Sequence, residues 1–239
     1  MTRTNTSRKS TAKHPPRSDE IVRKLEAEIV DGSLEPGTKL SEVALCERFG
    51  VGRAPMREAM RVLESRRLLQ RIPYAGMRVT KLDENDIRQL YALREAVEGM
   101  ACRQAAENAT KESISLLKAS LQTENRLSEE DVGAVFRPGS SDNGFHETIV
   151  KMSGNPWFKK VLLEDLYTLM RTFRFKAAKS DDTRLLRAHG EHRQILDAIA
   201  SNDGNRAENL MRAHVRESMN NALRGQERWS RDFGPAAKL

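Results

Sequence analysis

The sequence predicts a mainly α-helical protein in two parts: three short helices with a β-hairpin, then a longer all-helical bundle. Three observations predict it. Apolar residues recur every three to four positions through most of the chain, the mark of amphipathic helices. A single pair of extended runs, residues 69–72 and 77–80, interrupts that period. The charge is also split. Of a net +7, residues 1–80 carry 16 Lys and Arg against 10 Asp and Glu, whereas residues 81–239 are nearly balanced at 25 against 24.

Composition narrows the classes further. Hydrophobic residues make up 38% of the 239 and aromatics only 5%, so the core is expected to be aliphatic. No run approaches the roughly 18 apolar residues of a membrane span, and no signal-peptide core is present. The two cysteines, Cys46 and Cys102, are too few for a disulfide framework, which fits a reducing cytoplasm.

The first 17 residues are basic, rich in Thr, Ser and Pro, and have almost nothing to bury, so a disordered arm is expected there. Residues 19–30 then place Ile21, Leu25 and Ile29 on one helical face behind Ser18 as cap. Asp31-Gly32 ends that helix and Pro36-Gly37 turns the chain. A second helix is expected over 42–49 with Ser41 as N-cap, and Gly50-Val51-Gly52 breaks it. A third runs from 53 to about 65, tolerating Pro55 in its first turn. Met56, Ala59, Met60 and Leu63 form its apolar stripe, and Arg53, Arg57 and Arg61 lie four residues apart on another. Guanidinium groups so arranged suit phosphates and guanine edges, both of which they meet bidentately. Ion pairing of Arg57 with Glu58 or Glu64 is disfavoured by their spacing on the helix. Pro73-Tyr74-Ala75-Gly76 turns between the extended runs, and Gly76 permits close approach to a duplex backbone or minor groove. Three helices, the last with an arginine face, followed by a hairpin constitute a winged helix-turn-helix whose third helix enters the major groove of double-stranded DNA.

This stretch resembles the DNA-binding domain of GntR-type bacterial regulators. The pattern G-x-L-x-P-G-x-x-L-x-E, then G-V-x-R-x-P-x-R-E-A, then the wing glycine, runs through about 60 residues in one order. The resemblance implies DNA contact by Arg53 and Arg57 and by the backbone near Gly76. Gly52 and Ala54 stand where the family often has a hydroxyl, which removes phosphate contacts or shifts site preference while leaving both arginines.

Beyond a hinge at 81–85, the pattern is helical throughout. Residues 86–108 carry Ile87, Leu90, Leu93, Val97 and Met100 or Ala101 on one side, and 111–127 carry Ile114, Leu117 and Leu121. A loop with Pro138 and Gly139 follows, then helices over 141–152, 156–176, 183–200 and 204–223. About six helices should close into a bundle with an interior pocket. Four of the five histidines fall between His146 and His214. Asp142 and His146 are four apart on one expected helix, and His192 and His214 share the apolar sides of theirs. One carboxylate and three imidazoles suit zinc, nickel, manganese or iron, with positions left open for water or an anion. Periodicity alone does not choose between His189 and His192.

The segments "SDNGFHETIVKMSGNPWF", "GEHRQILDAIASND" and "AENLMRAHV" resemble the FCD ligand-binding domain that follows the winged helix in the FadR-type subfamily, over most of 84–225. That resemblance implies metal ligation by Asp142, His146, His192 and His214, with His192 selected over His189. It also implies a small carboxylate effector beside the metal, met by Arg94. The bland alternative for Arg94 is an ion pair with Glu98 at i+4. The expectation is therefore a non-enzymatic, homodimeric transcriptional regulator, most simply a repressor. Its units would be an arm at 1–17, a DNA-binding domain at 18–80, an all-helical domain at 86–225 binding effector and metal (zinc first), and a tail at 226–239. The rivals are a metal-dependent enzyme, against which stands the lack of an evident general base, and a direct metal sensor.

Overall fold

The computed structural model describes residues 17–130, 144–170, 172 and 182–233. The elements run α1 (Arg17–Asp31), β1 (Lys39–Leu40), α2 (Glu42–Phe49), α3 (Arg53–Ser65), β2 (Leu69–Ile72), β3 (Gly76–Val79), α4 (Glu84–Glu107), α5 (Lys111–Glu130) and α6 (Phe145–Met152). Then come α7 (Pro156–Lys159), which widens into a π-helical segment Lys160–Leu166, α8 (Asp182–Ala200) and α9 (Gly204–Phe233).

The N-terminal unit assembles largely as expected, except that α1 already includes Arg17, so Ser18 lies inside the helix and does not cap it. Ser41 caps α2 by accepting from the Ala44 amide, and Gly50 ends the helix in the left-handed region at φ 61°. The apolar stripe Met56, Ala59, Met60 and Leu63 of α3 packs on Ile21, Leu25 and Ile29 of α1 in one cluster with Leu45, Leu68, Met77 and Val79. β2 and β3 form the expected hairpin, with Leu69 opposite Val79 and Ile72 opposite Gly76. The sheet has a third strand that the sequence did not announce. β1 pairs antiparallel with β3, giving the order β1-β3-β2. Two residues are too few to display an alternation.

A capping box starts α4: Asp83 accepts from the Asp86 amide, and Asp86 accepts from the Asp83 amide. The buried face of α4 matches the expected one only in part, at Ile87 and Ala101. Ile87, Tyr91, Arg94, Glu98, Ala101, Cys102 and Ala105 point inward, whereas Leu93 is 43% exposed. The inward stripe is rotated because it carries a polar pair into the core. α4 packs closely along α9. A Cβ on Gly99 would sit 2.8 Å from Cγ of Arg212, so glycine is what permits that approach.

Three expected helices differ in extent. α6 begins at Phe145 because Gly144 is extended, at φ −61° and ψ 158°. Asp142, expected on one helix with His146, lies outside the described residues. The helix over 156–176 changes to the wider π turn at Lys160. The last helix runs to Phe233, ten residues beyond the expected end. Among the described residues, no helix is long and apolar enough to cross a membrane.

Candidate functional site: a buried histidine cluster and an arginine face

Three histidines from three helices meet inside the bundle. His146 is the second residue of α6, His192 lies in α8 and His214 in α9, and all three are buried. One ring nitrogen from each lies within 4.8 Å of the others, and Nε2 of His192 is 3.4 Å from Nε2 of His214. His189 is not part of this cluster, so the geometry selects His192. The His192 ring also stacks on Phe145, with centroids 4.3 Å apart and planes inclined by 19°.

A carboxylate stands behind each imidazole. Glu98 Oε2 is 2.7 Å from Nδ1 of His146, Glu191 Oε2 is 2.6 Å from Nδ1 of His214, and Glu124 Oε2 is 3.2 Å from Nδ1 of His192. Nδ1 of His192 lies near Glu124 without a hydrogen bond to it, whereas the first two contacts orient His146 and His214 through Nδ1, so each can offer Nε2. This is the arrangement by which outer carboxylates orient and strengthen metal-ligating histidines. Three converging imidazoles, two of them hydrogen-bonded to carboxylates, fit a divalent transition metal. The sequence reading missed Glu124 and Glu191, and it placed Glu98 only as a partner for Arg94.

The Arg94–Glu98 pair does form, but inside the core. Arg94 Nε donates to Glu98 Oε1 at 2.7 Å, with side-chain exposures of 1% and 5%. Glu98 thus uses one oxygen on Arg94 and the other on His146. Burial pushes its carboxyl pKa up, but the cationic Arg94 and the His146 contact pull it further down, so it stays well below the usual carboxylate range. The guanidinium lies 4.8 Å from the centre of the Tyr91 ring, and its buried Nη1 meets no hydrogen-bond acceptor in good geometry. A buried donor left in that state costs free energy, which an anionic ligand would recover.

The arginine face of α3 is organised differently. Arg53, Arg57 and Arg61 are all exposed. Arg57 does not pair with Glu58 or Glu64. Its Nε donates to both oxygens of Glu42 on α2, each at 2.9 Å. Arg61 pairs with Glu58 instead. Gly76 opens β3 at φ +85°, a backbone region that L side chains rarely adopt. A Cβ there would approach only Lys39 Cε, at 4.0 Å, so the angle and not the space demands glycine.

Comparison with known proteins places this geometry. Residues 17–79 match the family of bacterial regulatory proteins described as the gntR family, and residues 89–217 match the FCD domain. The probable D-xylose utilization operon transcriptional repressor of Paenarthrobacter nicotinovorans is 31% identical over 191 residues, 79% of this chain and 80% of that protein. The galactonate operon transcriptional repressor of Escherichia coli K12 is 29% identical, covering 80% of this chain and 90% of its own length. Among solved structures, E. coli McbR/YncC shares the fold at a TM-score of 0.70 and 19% identity, over 89% of this chain and all of that one. These sequence relatives are transcriptional regulators, not enzymes. The chain belongs to the GntR family of bacterial transcriptional regulators, with an N-terminal helix-turn-helix domain and a C-terminal FCD domain.

Proposed function

We propose that this regulator is a homodimeric repressor whose operator affinity is set by a small carboxylate bound beside a divalent metal. The observation that carries the reading is the buried chain Arg94–Glu98–His146. It joins a cation with an unused donor to a ring of the histidine cluster. His146, His192 and His214 would hold the ion, zinc first among the candidates, with Asp142 as a fourth ligand. When bound, the ion would supply open coordination positions to an anionic ligand. Arg94 would orient a carboxylate through Nη1, and Glu98 would hold both Arg94 and His146 in place. The galactonate operon repressor among the relatives is named for a hydroxy-carboxylate, which supports this ligand class.

On the DNA side, Arg53, Arg57 and Arg61 would contact the major groove and its phosphates, with the backbone near Gly76 beside the duplex. A dimer would set two recognition helices on half-sites roughly 34 Å apart. The effector changes operator affinity only through unequal binding to the DNA-competent and incompetent arrangements.

The test selects operators from a randomised duplex pool and then screens carboxylates for release, with the protein metal-loaded and metal-stripped. A two-fold-symmetric site, released by a carboxylate only when metal is present, is the expected result. Loss of DNA control on metal removal alone would instead identify a direct metal sensor. Selection of no site would overturn the reading.

A further inference from the structure

We infer that the cavity between the winged unit and the bundle is a second small-molecule site, built for an apolar zwitterion: an α-amino acid with an aliphatic or aromatic side chain. Its lining shares no residue with the histidine cluster or with the Arg94–Glu98 pair. Only its consequence for DNA rests on the regulator reading above.

The cavity has a volume of about 490 Å³, within the range of small-molecule sites, which favour junctions between domains. The end of α3 supplies Arg67, α4 supplies Asp86, Leu90 and Leu93, and the π-helical segment supplies Asp165, with Leu169 just beyond it. Two features of this wall serve no evident purpose in the fold. One is the π-helical stretch itself, a rare geometry that recurs at functional sites. The other is Arg67, which takes the left-handed region at φ 57° directly after α3. Its amide donates to Glu64 O and the Leu68 amide to Leu63 O. Glycine or asparagine fills such a helix-ending position at least cost, and an arginine is strained there.

Charge selects the ligand. Among the described residues, the Arg67 side chain forms no hydrogen bond and no ion pair, so it reaches neither carboxylate of the cavity. Asp86 uses Oδ2 to accept from the Asp83 amide, which leaves Oδ1 available. Asp165 meets Lys160 at 3.4 Å in an exposed pair, which is weak and exchangeable. The site therefore offers one guanidinium and two carboxylates around leucine side chains, of which Leu93 is 43% exposed. A simple carboxylate would face two like charges, and a simple amine would face Arg67. A molecule with both groups satisfies both signs, and its apolar side chain covers Leu90, Leu93 and Leu169.

Such a ligand would also bridge the two units. Arg67 belongs to the winged unit and both aspartates to the bundle, on either side of residues 80–83, which join β3 to α4. A molecule held by both favours one relative arrangement of the units, and so changes operator affinity wherever that arrangement binds DNA unequally.

The experiment titrates the full chain with L-leucine and L-phenylalanine in a calorimeter, with and without a chelator. Binding of at least one is expected in both conditions, because the site holds no histidine. With chelator present, 2-phenylethylamine, which lacks the carboxylate, and 3-phenylpropionate, which lacks the ammonium, should each bind about ten-fold more weakly than phenylalanine. Arg67→Gly and Asp165→Asn should each weaken amino-acid binding by about the same factor. Arg67→Gly should melt at the same temperature or higher, since glycine suits that backbone. The bound amino acid should shift the affinity of the wild-type chain for a selected operator and leave that of Arg67→Gly unmoved. Binding of neither amino acid would overturn the inference, as would binding that chelation abolishes, that either single-charge analogue matches, or that both variants retain. A wild-type chain that binds neither, and that Leu93→Glu converts to monomers, would assign the face to a second copy instead. Amino-acid binding without any shift in operator affinity would overturn the bridging. Selection of no operator would overturn the regulator reading alone, since calorimetry decides the site without DNA.

Discussion

The molecule uses an arginine–glutamate pair twice, in opposite surroundings. Arg57–Glu42 lies on the surface, with side-chain exposures of 65% and 29%. Arg94–Glu98 lies in the bundle, with exposures of 1% and 5%. Water and salt screen the first, so it forms and breaks at little cost and can exchange its carboxylate for a phosphate or a guanine edge. The second has no water to fall back on. Opening it without a replacement strands two desolvated charges. The surface pair therefore holds Arg57 poised for another partner. The buried pair is a committed part of the core.

The largest expected effect breaks the buried pair. Glu98→Ala leaves Arg94 buried without its counter-ion and His146 without its carboxylate. Stability should fall by about 3–5 kcal/mol in denaturant titrations, the cost of removing one partner of a buried pair. A loss below about 1 kcal/mol would show that the pair behaves like a surface one.

Next comes the histidine cluster. Chelation should lower the melting temperature of the wild-type chain, since an ion bound only to the folded state at a hundred times its Kd contributes about 2.7 kcal/mol. His192→Ala should remove most of the bound metal and most of that chelator response, whereas His189→Ala should leave both intact. Full occupancy in His192→Ala, by elemental analysis, would break the assignment.

Smaller effects sharpen the surface side. Arg57→Ala should weaken operator binding by roughly ten- to a hundred-fold with an unchanged melting temperature, as expected for loss of one bidentate base contact. If Arg61 meets a phosphate, Arg61→Ala should lower affinity for all sequences alike and reduce the logarithmic salt slope by about one. The smallest expected effect is that of Glu42→Ala. It should move the melting temperature by no more than about 2 °C, because an exposed pair contributes little. A large destabilisation would mean that the exposed pair is structural after all.

These contrasts also explain what was legible in the chain. α2 and α3 were legible to the residue, because Ser41, Gly50 and the Met56–Leu63 stripe are local signals that the tertiary fold does not override. α4 was legible in extent but not in orientation. Its apolar residues suggested Ile87, Leu90, Leu93, Val97 and Met100 or Ala101 as the inner face; Ile87 and Ala101 are buried, but Leu93 is exposed and the core takes Tyr91, Arg94 and Glu98. Hydrophobic periodicity misreads a helix whose inner stripe carries a polar site. The choice of His192 over His189 came from family resemblance, and His192 is the one that meets His146 and His214 in the bundle.

By itself, the sequence determined the Ser41 and Gly50 caps of α2 and the apolar stripe and arginine spacing of α3, all of them set by neighbours within a few residues. Tertiary structure alone decided which carboxylate meets which cation. Glu42 finds Arg57 across 15 positions, Glu191 finds His214 across 23, and Glu98 finds His146 across 48. An ion pair depends on distance in space and on the water excluded around it, and neither quantity is written in the spacing of residues along a chain.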